Sequence, residues 1–293
     1  MKLTNNLSFP AWLETVLTWA YGQYDKGAAD FSVSQLASPA YLEKYKRNNE
    51  LTQDLSQIVD LIIGKAIHSL FEAAFQATGI KGMRYEERII EAFVVDGKTY
   101  KVSGQYDIFD ENVGDLWDLK VTKVSAVSFG AKRDYIAQLN AYVELLSSRG
   151  LEVKRIRNLY ILKDWSPKEK ALAMLKGKDY PVAPMVIMEL PLWTKAERMA
   201  WFVERIQAHT KAQPAPCSKD ERWEKDPKYA VKKTVDAARA VNGGLFDADK
   251  KAEAEAMALS IKGVVESRPG ERTRCEWFCP AAPVCKDWQE ASK

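Results

Sequence analysis

One stretch decides how this chain folds: residues 98–122 read KTYKVSGQYDIFDENVGDLWDLKVT. Its two halves are rich in the β-branched and aromatic residues typical of strands, and a short polar turn at residues 110–113 separates them. The segment before it, EERIIEAFVVDG (residues 86–97), ends in Asp-Gly, a pair that favours the tight turn between antiparallel strands. We therefore predict a hairpin over residues 86–110 and a third strand over residues 113–122.

Helical patterns flank these strands on both sides. Apolar residues recur at helical spacing over residues 55–79 and again over residues 131–150, and each segment ends in a glycine. A further strand is predicted over residues 153–165, and a strand–helix–strand passage usually joins parallel strands by a right-handed crossover. The sequence therefore predicts an α/β fold in which helices cover a mixed sheet.

The chain is predicted to have three parts. Residues 1–54 form an N-terminal helical segment, and residues 55–212 form the core, which a last strand and helix close near residue 210. A Pro-containing linker, QPAPC, begins at residue 213, and the sequence after it is rich in lysine, has an Ala/Glu helical stretch and ends in three closely spaced cysteines. Residues 213–293 are therefore predicted to form a smaller C-terminal cysteine domain.

The composition excludes several classes of protein. Of the 293 residues, 46% are hydrophobic and 28% are charged, as is ordinary for a globular protein. Four cysteines in a chain of this length do not indicate a disulfide-stapled secreted domain, and no apolar run reaches the roughly 18 residues that cross a membrane. We therefore expect a cytoplasmic protein with no membrane partner. The net charge of +3 is too small to argue for nucleic-acid binding, so a basic cleft would have to be local.

The strongest chemical signal is a pair of aspartates followed by a lysine: Gly104-x-x-Asp107, then Asp118-Leu119-Lys120. Adjacent strands lie about 4.8 Å apart, so carboxylates on neighbouring strands can converge on one cation, and Mg²⁺ prefers oxygen ligands. Asp118 and Lys120 are two residues apart on a strand and share a face. Asp-x-Lys alone is also compatible with a chance charge pair on a surface strand. The residues around it are apolar, however, and charges buried in such a strand need partners or a metal.

Together with other patterns in the same order, these residues give the sequence a resemblance to the RecB-like branch of the PD-(D/E)XK nuclease superfamily. The resemblance covers roughly residues 31–163. The matching residues are Gly64-x-x-x-His68 on the first core helix, Glu87 at the start of the first strand, Gly104-x-x-Asp107, Asp118-x-Lys120 and Gln138-x-x-x-Tyr142 on the following helix. Each pattern is common by itself, but five in this order are hard to obtain by chance.

The resemblance implies a restriction-endonuclease-like core and a metal-dependent DNA nuclease that hydrolyses phosphodiester bonds. It implies that Asp107, Asp118 and His68 hold Mg²⁺ or Mn²⁺ and that Glu87 completes the site. A histidine nitrogen beside carboxylates favours Mn²⁺. Lys120 would orient or polarise the attacking water.

The matching residues other than the two aspartates and the lysine have alternative interpretations, which stay open here. His68 lies on an apolar helix and could be an ordinary core histidine. Gln138 and Tyr142 are four residues apart and so share a helix face, from which they could contact the DNA backbone, hold the lysine, or pack against the sheet. Glu86 and Glu87 alternate faces of a strand, so only one of them can point into the site, and we favour Glu87.

Three basic residues flank the Asp-x-Lys strand or begin the next helix: Lys123, Lys132 and Arg133. They are candidate contacts to DNA phosphates, which position a nucleic acid without reading its sequence. A solvated, charged face is the alternative.

The four cysteines are Cys217, Cys275, Cys279 and Cys285, and the last three follow the pattern Cys-x3-Cys-Pro-x4-Cys. Such a set suggests one tetrathiolate site, which would be a [4Fe–4S] cluster or, as the alternative, a structural Zn²⁺ ion; free thiols are the third reading. Zinc sites more often have two short Cys-x2-Cys pairs, so the triplet favours the cluster.

Several RecB-like nucleases, including CRISPR-associated exonucleases and AddB-type helicase–nuclease subunits, have such a cluster with three C-terminal cysteines. In those relatives the fourth cysteine typically lies before the core. This chain has serines there, at Ser32, Ser34 and Ser38, so Cys217 must supply the fourth ligand from the other side of the core. The cluster would have a structural role and would stabilise the C-terminal residues.

The resemblance and the cysteine pattern together imply an exonuclease acting on DNA ends or single strands, in recombination, repair or phage DNA processing, with a helicase or recombination protein as its partner. Two other functions stay open: an endonuclease on the same core, and a DNA-binding or assembly module without catalytic activity. A zinc-stabilised interaction protein is a further reading; it would bind equimolar zinc and lack a brown colour near 400 nm.

Overall fold

The hairpin at the centre of the sequence folds as predicted. Strands β5 (Arg88–Val95) and β6 (Lys98–Gln105) pair antiparallel along their whole length. Asp96 and Gly97 between them both have positive φ, 51° and 74°, as a two-residue turn with the twist of the strands requires. The structure is a computed structural model that describes residues 2–22, 27–128 and 130–292.

Two compact units make up the chain, Met1–Pro214 and Ala215–Lys293. The other strands of the first unit are β1 (Lys2–Thr4), β2 (Phe31–Ser32), β3 (Thr52–Asp54), β4 (Met83–Tyr85), β7 (Ile108–Asp110), β8 (Asp115–Thr122), β9 (Arg155–Leu162) and β10 (Met185–Leu190). Its α-helices are α1 (Ala11–Gly22), α2 (Val33–Ala37), α3 (Ala40–Asn48), α4 (Val59–Thr78), α5 (Arg133–Ser147), α6 (Pro167–Leu175) and α7 (Lys195–Thr210). The three-part division predicted from the sequence stays a prediction.

The central sheet of the first unit is mixed. Its strand order is β10-β9-β8-β7-β4, in which β8 and β9 are parallel and the other neighbours are antiparallel. Helix α5 connects β8 to β9, which confirms the predicted strand–helix–strand passage between parallel strands. The fold is therefore α/β, with a mixed sheet flanked by helices.

The helix predicted over residues 55–79 is present as a 3₁₀ turn, Leu55–Ile58, followed by α4. The side chain of Asp54 accepts a hydrogen bond from the Ser56 amide at 3.1 Å and so caps the turn. Gly79 ends α4 in the left-handed conformation, with φ of 58°. This helix carries His68 towards the sheet.

The predicted second strand of the hairpin is in fact two strands in two sheets. β6 lies in a three-stranded sheet of order β2-β6-β5, whereas β7 lies in the central sheet. The break is at Tyr106 and Asp107. There the Asp107 side chain, rather than a backbone carbonyl, accepts the hydrogen bond of the Leu119 amide, with 2.6 Å between Oδ2 and the nitrogen. A side-chain acceptor competes with backbone pairing, and the apolar pattern of the sequence does not reveal it.

Close packing of α5 against β6 depends on Gly104. A methyl group at this glycine would lie 2.5 Å from Leu145 Cδ1 and 2.9 Å from Tyr142 Cδ1, well inside van der Waals contact. Both side chains are buried in the main hydrophobic core. The glycine of the Gly-x-x-Asp motif therefore lets the helix approach the strand that leads to Asp107.

The second unit has its own small sheet and helices. Its strands are β11 (Lys228–Lys232), β12 (Leu245–Asp247) and β13 (Val264–Arg268), and its helices are α8 (Lys219–Arg222), α9 (Lys251–Ser260), α10 (Thr273–Trp277) and α11 (Lys286–Ala291). The sheet is antiparallel with order β12-β11-β13, and Ala254 and Ala258 of α9 pack with Val231. The predicted Ala/Glu helix is thus confirmed as α9.

No helix in the described ranges is long and apolar enough to cross a membrane. The cytoplasmic location stays a prediction.

Candidate active site

The two predicted aspartates meet where β6 ends beside β8. Asp107 directly follows the break between β6 and β7, and the pairing of Ile108 with Trp117 places it next to Asp118 on β8. Both carboxylates are buried, with exposed fractions of 9% and 2%. Asp107 is fixed by its hydrogen bond from the Leu119 amide, so a backbone contact sets the orientation of its carboxylate.

His68 approaches these carboxylates from α4. Its Nδ1 lies 2.9 Å from Glu86 Oε1 and 3.6 Å from Asp107 Oδ1. In the part of the chain that the structure describes, one group of three metal-ligating side chains has ligand atoms within 4.8 Å of one another, and it consists of His68, Glu86 and Asp107. The structure therefore contains a candidate metal site with two of the three predicted metal ligands, His68 and Asp107, whereas its third member is Glu86 rather than Asp118.

Glu86, rather than Glu87, is the residue that lies beside His68. The second oxygen of Glu86, Oε2, accepts a hydrogen bond from Gln105 Nε2 at 2.9 Å. Glu87 faces away from the site, where its Oε2 accepts a hydrogen bond from the Tyr106 hydroxyl at 2.7 Å. The sequence-based choice assumed that side chains alternate along an extended strand. Glu86 instead has φ of 50°, in the left-handed region, so strict alternation fails at this residue.

Lys120 is held by groups on β8 and α5. Its Nζ lies 2.6 Å from Asp118 Oδ2, 4.7 Å from the centre of the Tyr135 ring and 3.5 Å from Gln138 Oε1. Gln138 Nε2 in turn donates to the Tyr142 hydroxyl at 2.9 Å. The two residues of the predicted Gln-x-x-x-Tyr pattern are thus bonded to each other, and one of them reaches the lysine.

The pKa values of the site residues are shifted because charged side chains lie close together and are partly or fully buried. Burial by itself lowers the pKa of His68, but its hydrogen bond with Glu86 and the nearby aspartates raise it to about 9. Burial raises the pKa of Asp107 to about 7, and the charge of Asp118 adds to the effect. Burial opposes the charge on Lys120, yet the two aspartates raise the pKa of the lysine above its ordinary value. The groups therefore compensate one another's charge.

The residues present fit a divalent cation. With His68 neutral, as a metal ligand must be, Glu86, Asp107, Asp118 and Lys120 together leave two negative charges, and a divalent cation would balance them. Asp118 Oδ2 is buried and forms an ion pair with Lys120, whose Nζ lies 2.6 Å away. This lysine compensates the charge of Asp118, so the case for a cation rests on His68, Glu86 and Asp107.

The three predicted phosphate contacts flank the elements that carry Lys120 and Gln138. Lys123 directly follows β8, Lys132 precedes α5 and Arg133 begins it. Lys123 and Arg133 are exposed, and Lys132 Nζ lies 5.7 Å from the ring of Tyr135. These positions leave DNA contact as a prediction.

The four cysteines all lie in the second unit and are half-buried. Burial raises the pKa of Cys217 to about 12, and the charges of Glu221, Cys279 and Cys275 contribute. Burial also raises the pKa of Cys275, with contributions from Cys279 and Cys285. The thiols are therefore near enough to influence one another. Among the described residues, however, no three cysteine sulfurs lie within 4.8 Å of one another.

Sequence reasoning missed two residues of this site, Gln105 and Tyr135, and it favoured Glu87 over Glu86. The backbone at Glu86 is what turns that carboxylate towards His68, and no residue type in the sequence signals it. Tyr135 could have been found, because it lies three residues before Gln138 and therefore shares its helix face.

Comparison with known proteins identifies no family. No protein-family model and no curated protein matches the sequence. Among solved structures, the chain is similar to SSO0001 at 17% identity and a TM-score of 0.49, covering 72% of this chain and 88% of that one. It is also similar to a phage-related exonuclease from Haemophilus somnus 129PT at 10% identity and a TM-score of 0.27, covering 68% of this chain and 78% of that one. A likeness of this size assigns no activity to this chain.

Proposed function

We propose that this protein is a divalent-metal-dependent deoxyribonuclease that hydrolyses phosphodiester bonds as an exonuclease, from DNA ends or on single strands. The observation that carries the proposal is the partly buried cluster of His68, Glu86 and Asp107 beside the Asp118–Lys120 pair. Carboxylate and imidazole ligands around one point, with a lysine next to them, suit a cation that also binds a phosphate oxygen and a water.

His68, Glu86 and Asp107 would hold a Mg²⁺ or Mn²⁺ ion, with Asp118 beside them. When bound, such an ion supplies a Lewis acid for the phosphate and lowers the pKa of a bound water. The protein orients these ligands through their other contacts: Gln105 holds Glu86, and the Leu119 amide holds Asp107.

Lys120 would be the residue that acts on the substrate. As a cation it would orient the attacking water or stabilise the negative charge that develops on the phosphate. Gln138 and Tyr142 would act as positioning residues for this lysine. Tyr142 is only 5% exposed, and its hydroxyl bonds to Gln138, so a direct contact with DNA is the less suitable role for it.

Contacts to the DNA backbone would come from Lys123, Lys132 and Arg133. They lie at the end of β8 and the start of α5, and cations there would neutralise phosphates without selecting a sequence. DNA ends or single strands are therefore the proposed partner.

For the second unit we propose a structural [4Fe–4S] cluster bound by Cys217, Cys275, Cys279 and Cys285, with Zn²⁺ as the alternative. Support comes from the placement of all four cysteines in one unit, where their charges influence one another. Their half-buried thiols would have to lose protons to bind either metal.

The proposed activity is tested by degradation of end-labelled linear DNA in Mn²⁺ or Mg²⁺, comparing wild type with Asp118→Asn. The matched control is Asp115→Asn, because Asp115 lies on the same strand and is also 2% exposed, but it pairs with Arg155 and Arg157. We expect metal-dependent cleavage in wild type and in the folded control, and none in Asp118→Asn.

The outcomes separate the alternative functions. An exonuclease releases the end label progressively and leaves covalently closed circular DNA intact, whereas cutting of the circle would favour an endonuclease. If folded, metal-loaded wild type cleaves neither single- nor double-stranded DNA, the proposal fails and a DNA-binding module without catalysis takes its place.

A further inference from the structure

A second concavity in the first unit lies at the opposite end of β6 from the metal site. Its volume is about 480 Å³, a size that accommodates small organic ligands. We name it the β6–α7 pocket, after the start of β6 and the end of α7, which line it together with α3. The lining residues on which its chemistry depends are Lys44, Arg47, Lys98, Tyr100, His209 and Lys211.

Positive charge dominates the β6–α7 pocket. Four of its lining side chains are cationic and none is a carboxylate, although the whole chain has a net charge of only +3. The one acid of α3, Glu43, is buried and pairs with Lys46 at 2.7 Å instead. Cations gathered in one concavity repel one another, and a bound anion relieves that repulsion.

The contacts that these cations make are with neutral groups. Lys44 Nζ donates to the side-chain oxygen of Gln213, and Arg47 NH2 donates to the His209 carbonyl at 3.4 Å. Lys98 Nζ lies 5.0 Å from the centre of the Tyr100 ring. None of the four cations forms an ion pair with a carboxylate within residues 2–22, 27–128 and 130–292. An anion could therefore bind without displacing a carboxylate.

Aromatic rings form one wall of the pocket. The centre of the Phe31 ring lies 6.0 Å from that of Tyr100 and 6.0 Å from that of His209. Phe31 and His209 are buried, whereas Tyr100 is half-buried and remains accessible to a ligand. Cations beside an accessible aromatic ring are the combination that binds phosphates together with stacked bases.

His209 is held inside the wall of the pocket. It is 2% exposed, and its Nε2 lies 3.2 Å from the Ser38 carbonyl oxygen and 3.5 Å from Arg205 NH2. The contacts to a ligand therefore come from the four cations and from Tyr100.

We propose that the β6–α7 pocket binds a phosphorylated nucleoside, with the phosphate on the four cations and the base on Tyr100. Two sources share this chemistry, namely one nucleotide of a DNA strand and a free mononucleotide. Binding of a nucleotide that belongs to a DNA strand rests on the proposed nuclease function. Binding of a phosphorylated nucleoside in the pocket does not depend on that function.

The distance between the pocket and the metal site determines how long a DNA strand must be to reach both. Asp107 follows Tyr100 by seven positions, which corresponds to at most about 23 Å along an extended strand. A stacked single strand advances about 3.4 Å per nucleotide, so roughly seven nucleotides would span the two sites. An oligonucleotide much shorter than this could occupy one site but not both.

The test measures binding without divalent metal, so that cleavage plays no part. Fluorescein-labelled dT15 and dT4 are titrated with protein and followed by anisotropy, and dAMP and inorganic phosphate compete with them. The variant is Lys98→Ala/Lys211→Ala, both of which are exposed lining residues. The matched control is Lys101→Ala/Lys195→Ala, which removes the same charge from β6 and α7 at exposed positions outside the pocket.

We expect the pocket variant to bind dT15 about tenfold more weakly and to lower the slope of log K against log salt by about 1.4, because each phosphate contact on a single strand contributes about 0.7. The control should stay within twofold of wild type. dAMP should compete better than inorganic phosphate, because only the nucleotide offers a base that can stack on Tyr100. A greater loss for dT15 than for dT4 supports the strand as the source.

Other outcomes are equally decisive. If dAMP binding is lost in the variant while dT15 binding is unchanged, the source is a free nucleotide. If neither changes by more than twofold relative to the control, or if inorganic phosphate competes as well as dAMP, the inference is wrong. A wild type that cleaves no DNA but shows the expected binding loss would overturn the proposed activity and leave this inference standing.

Discussion

The His68–Glu86–Asp107 cluster and the four-cysteine region are both candidate metal sites, yet their ligands are supported in different ways. The ligands of the cluster come from a long helix and from two short bends between strands, and hydrogen bonds from Gln105 and a backbone amide orient two of them. The cysteines come from short helices and the segments between them. A metal whose ligands are already held by the fold is suited to catalysis. A metal whose ligands lie on weakly supported segments is suited to stabilising those segments.

The largest expected effect is the loss of cleavage without loss of stability. Asp107→Asn should reduce the rate of DNA cleavage at least about a thousandfold, because it removes a metal ligand. The melting temperature of the metal-free protein should stay equal or rise, because one of two neighbouring buried carboxylates loses its charge while the amide oxygen can still accept from Leu119.

Initial rates and a thermal melt by circular dichroism check this prediction, with Asp110→Asn as the control three residues further along. A fall of the melting temperature comparable to that of a core mutation would show that the cluster is structural. The proposed difference between this cluster and the four-cysteine region would then be wrong.

The second region should behave in the opposite way. Cys279→Ser is expected to remove the absorbance near 400 nm, lower bound iron from about four atoms per chain and make the second unit sensitive to proteolysis, because the metal-binding energy contributes to folding. The control Val284→Ser introduces a serine next to Cys285 at an exposed position.

Metal analysis and limited proteolysis of the wild type and both variants are the measurements. One zinc per wild-type chain with no visible absorbance would replace the cluster by the zinc alternative. Wild type without any metal, and with a stable second unit, would contradict both.

Acid should destabilise the first unit through a group that is not a proposed metal ligand. Burial and the neighbouring Arg205 lower the pKa of His209 to about 4, against the opposing charge of Glu43 and the hydrogen bond to Ser38, while Arg47 also lowers it. The unfolded histidine takes up a proton near pH 6.5, whereas the folded one does not until about pH 4. Its contribution to stability is therefore complete above pH 6.5 and falls by roughly 3 kcal/mol towards pH 4.

Denaturant unfolding at pH 7, 5.5 and 4.5 checks this dependence, and His209→Gln should flatten it. An unchanged slope in the variant would assign the acid sensitivity to other groups.

The smallest expected effects are on the free energy of unfolding, and they differ between the glycines of the Gly-x-x-x-His and Gly-x-x-Asp motifs. Gly104→Ala should lower the free energy of unfolding by about 1–3 kcal/mol, because its methyl group overlaps Leu145 and Tyr142. Gly64→Ala meets no atom within 4 Å and lies within α4, so it should raise stability by up to about 1 kcal/mol. Urea titration of both variants measures the difference; equal effects would mean that α5 can shift away from β6.

Much of the fold could be predicted from local patterns. Asp96-Gly97 indicated the hairpin turn, the alternation of Asp118 and Lys120 indicated a shared face, and the spacing of apolar residues indicated α4 and α5. Each of these signals depends on residues close together in the chain, where periodicity and turn chemistry determine the structure.

What could not be predicted depends on backbone conformation or on distant residues. The choice of Glu86 follows from a left-handed backbone at a glutamate, and the end of β6 follows from a side-chain hydrogen bond to Leu119. The β6–α7 pocket joins Lys44, Lys98 and Lys211, which no local pattern connects. The cysteine pattern indicated a set of four, but not how closely their sulfurs approach.

The hydrogen bond between Asp107 and the Leu119 amide has a consequence for how this protein can evolve. Selection for cleavage and selection for an intact sheet both act on the same carboxylate. Asparagine keeps the acceptor oxygen and loses the charge, so it preserves the sheet while removing the ligand. In a lineage released from selection for cleavage, asparagine at position 107 should therefore become fixed more readily than alanine. Such a protein would keep its fold after losing its nuclease activity.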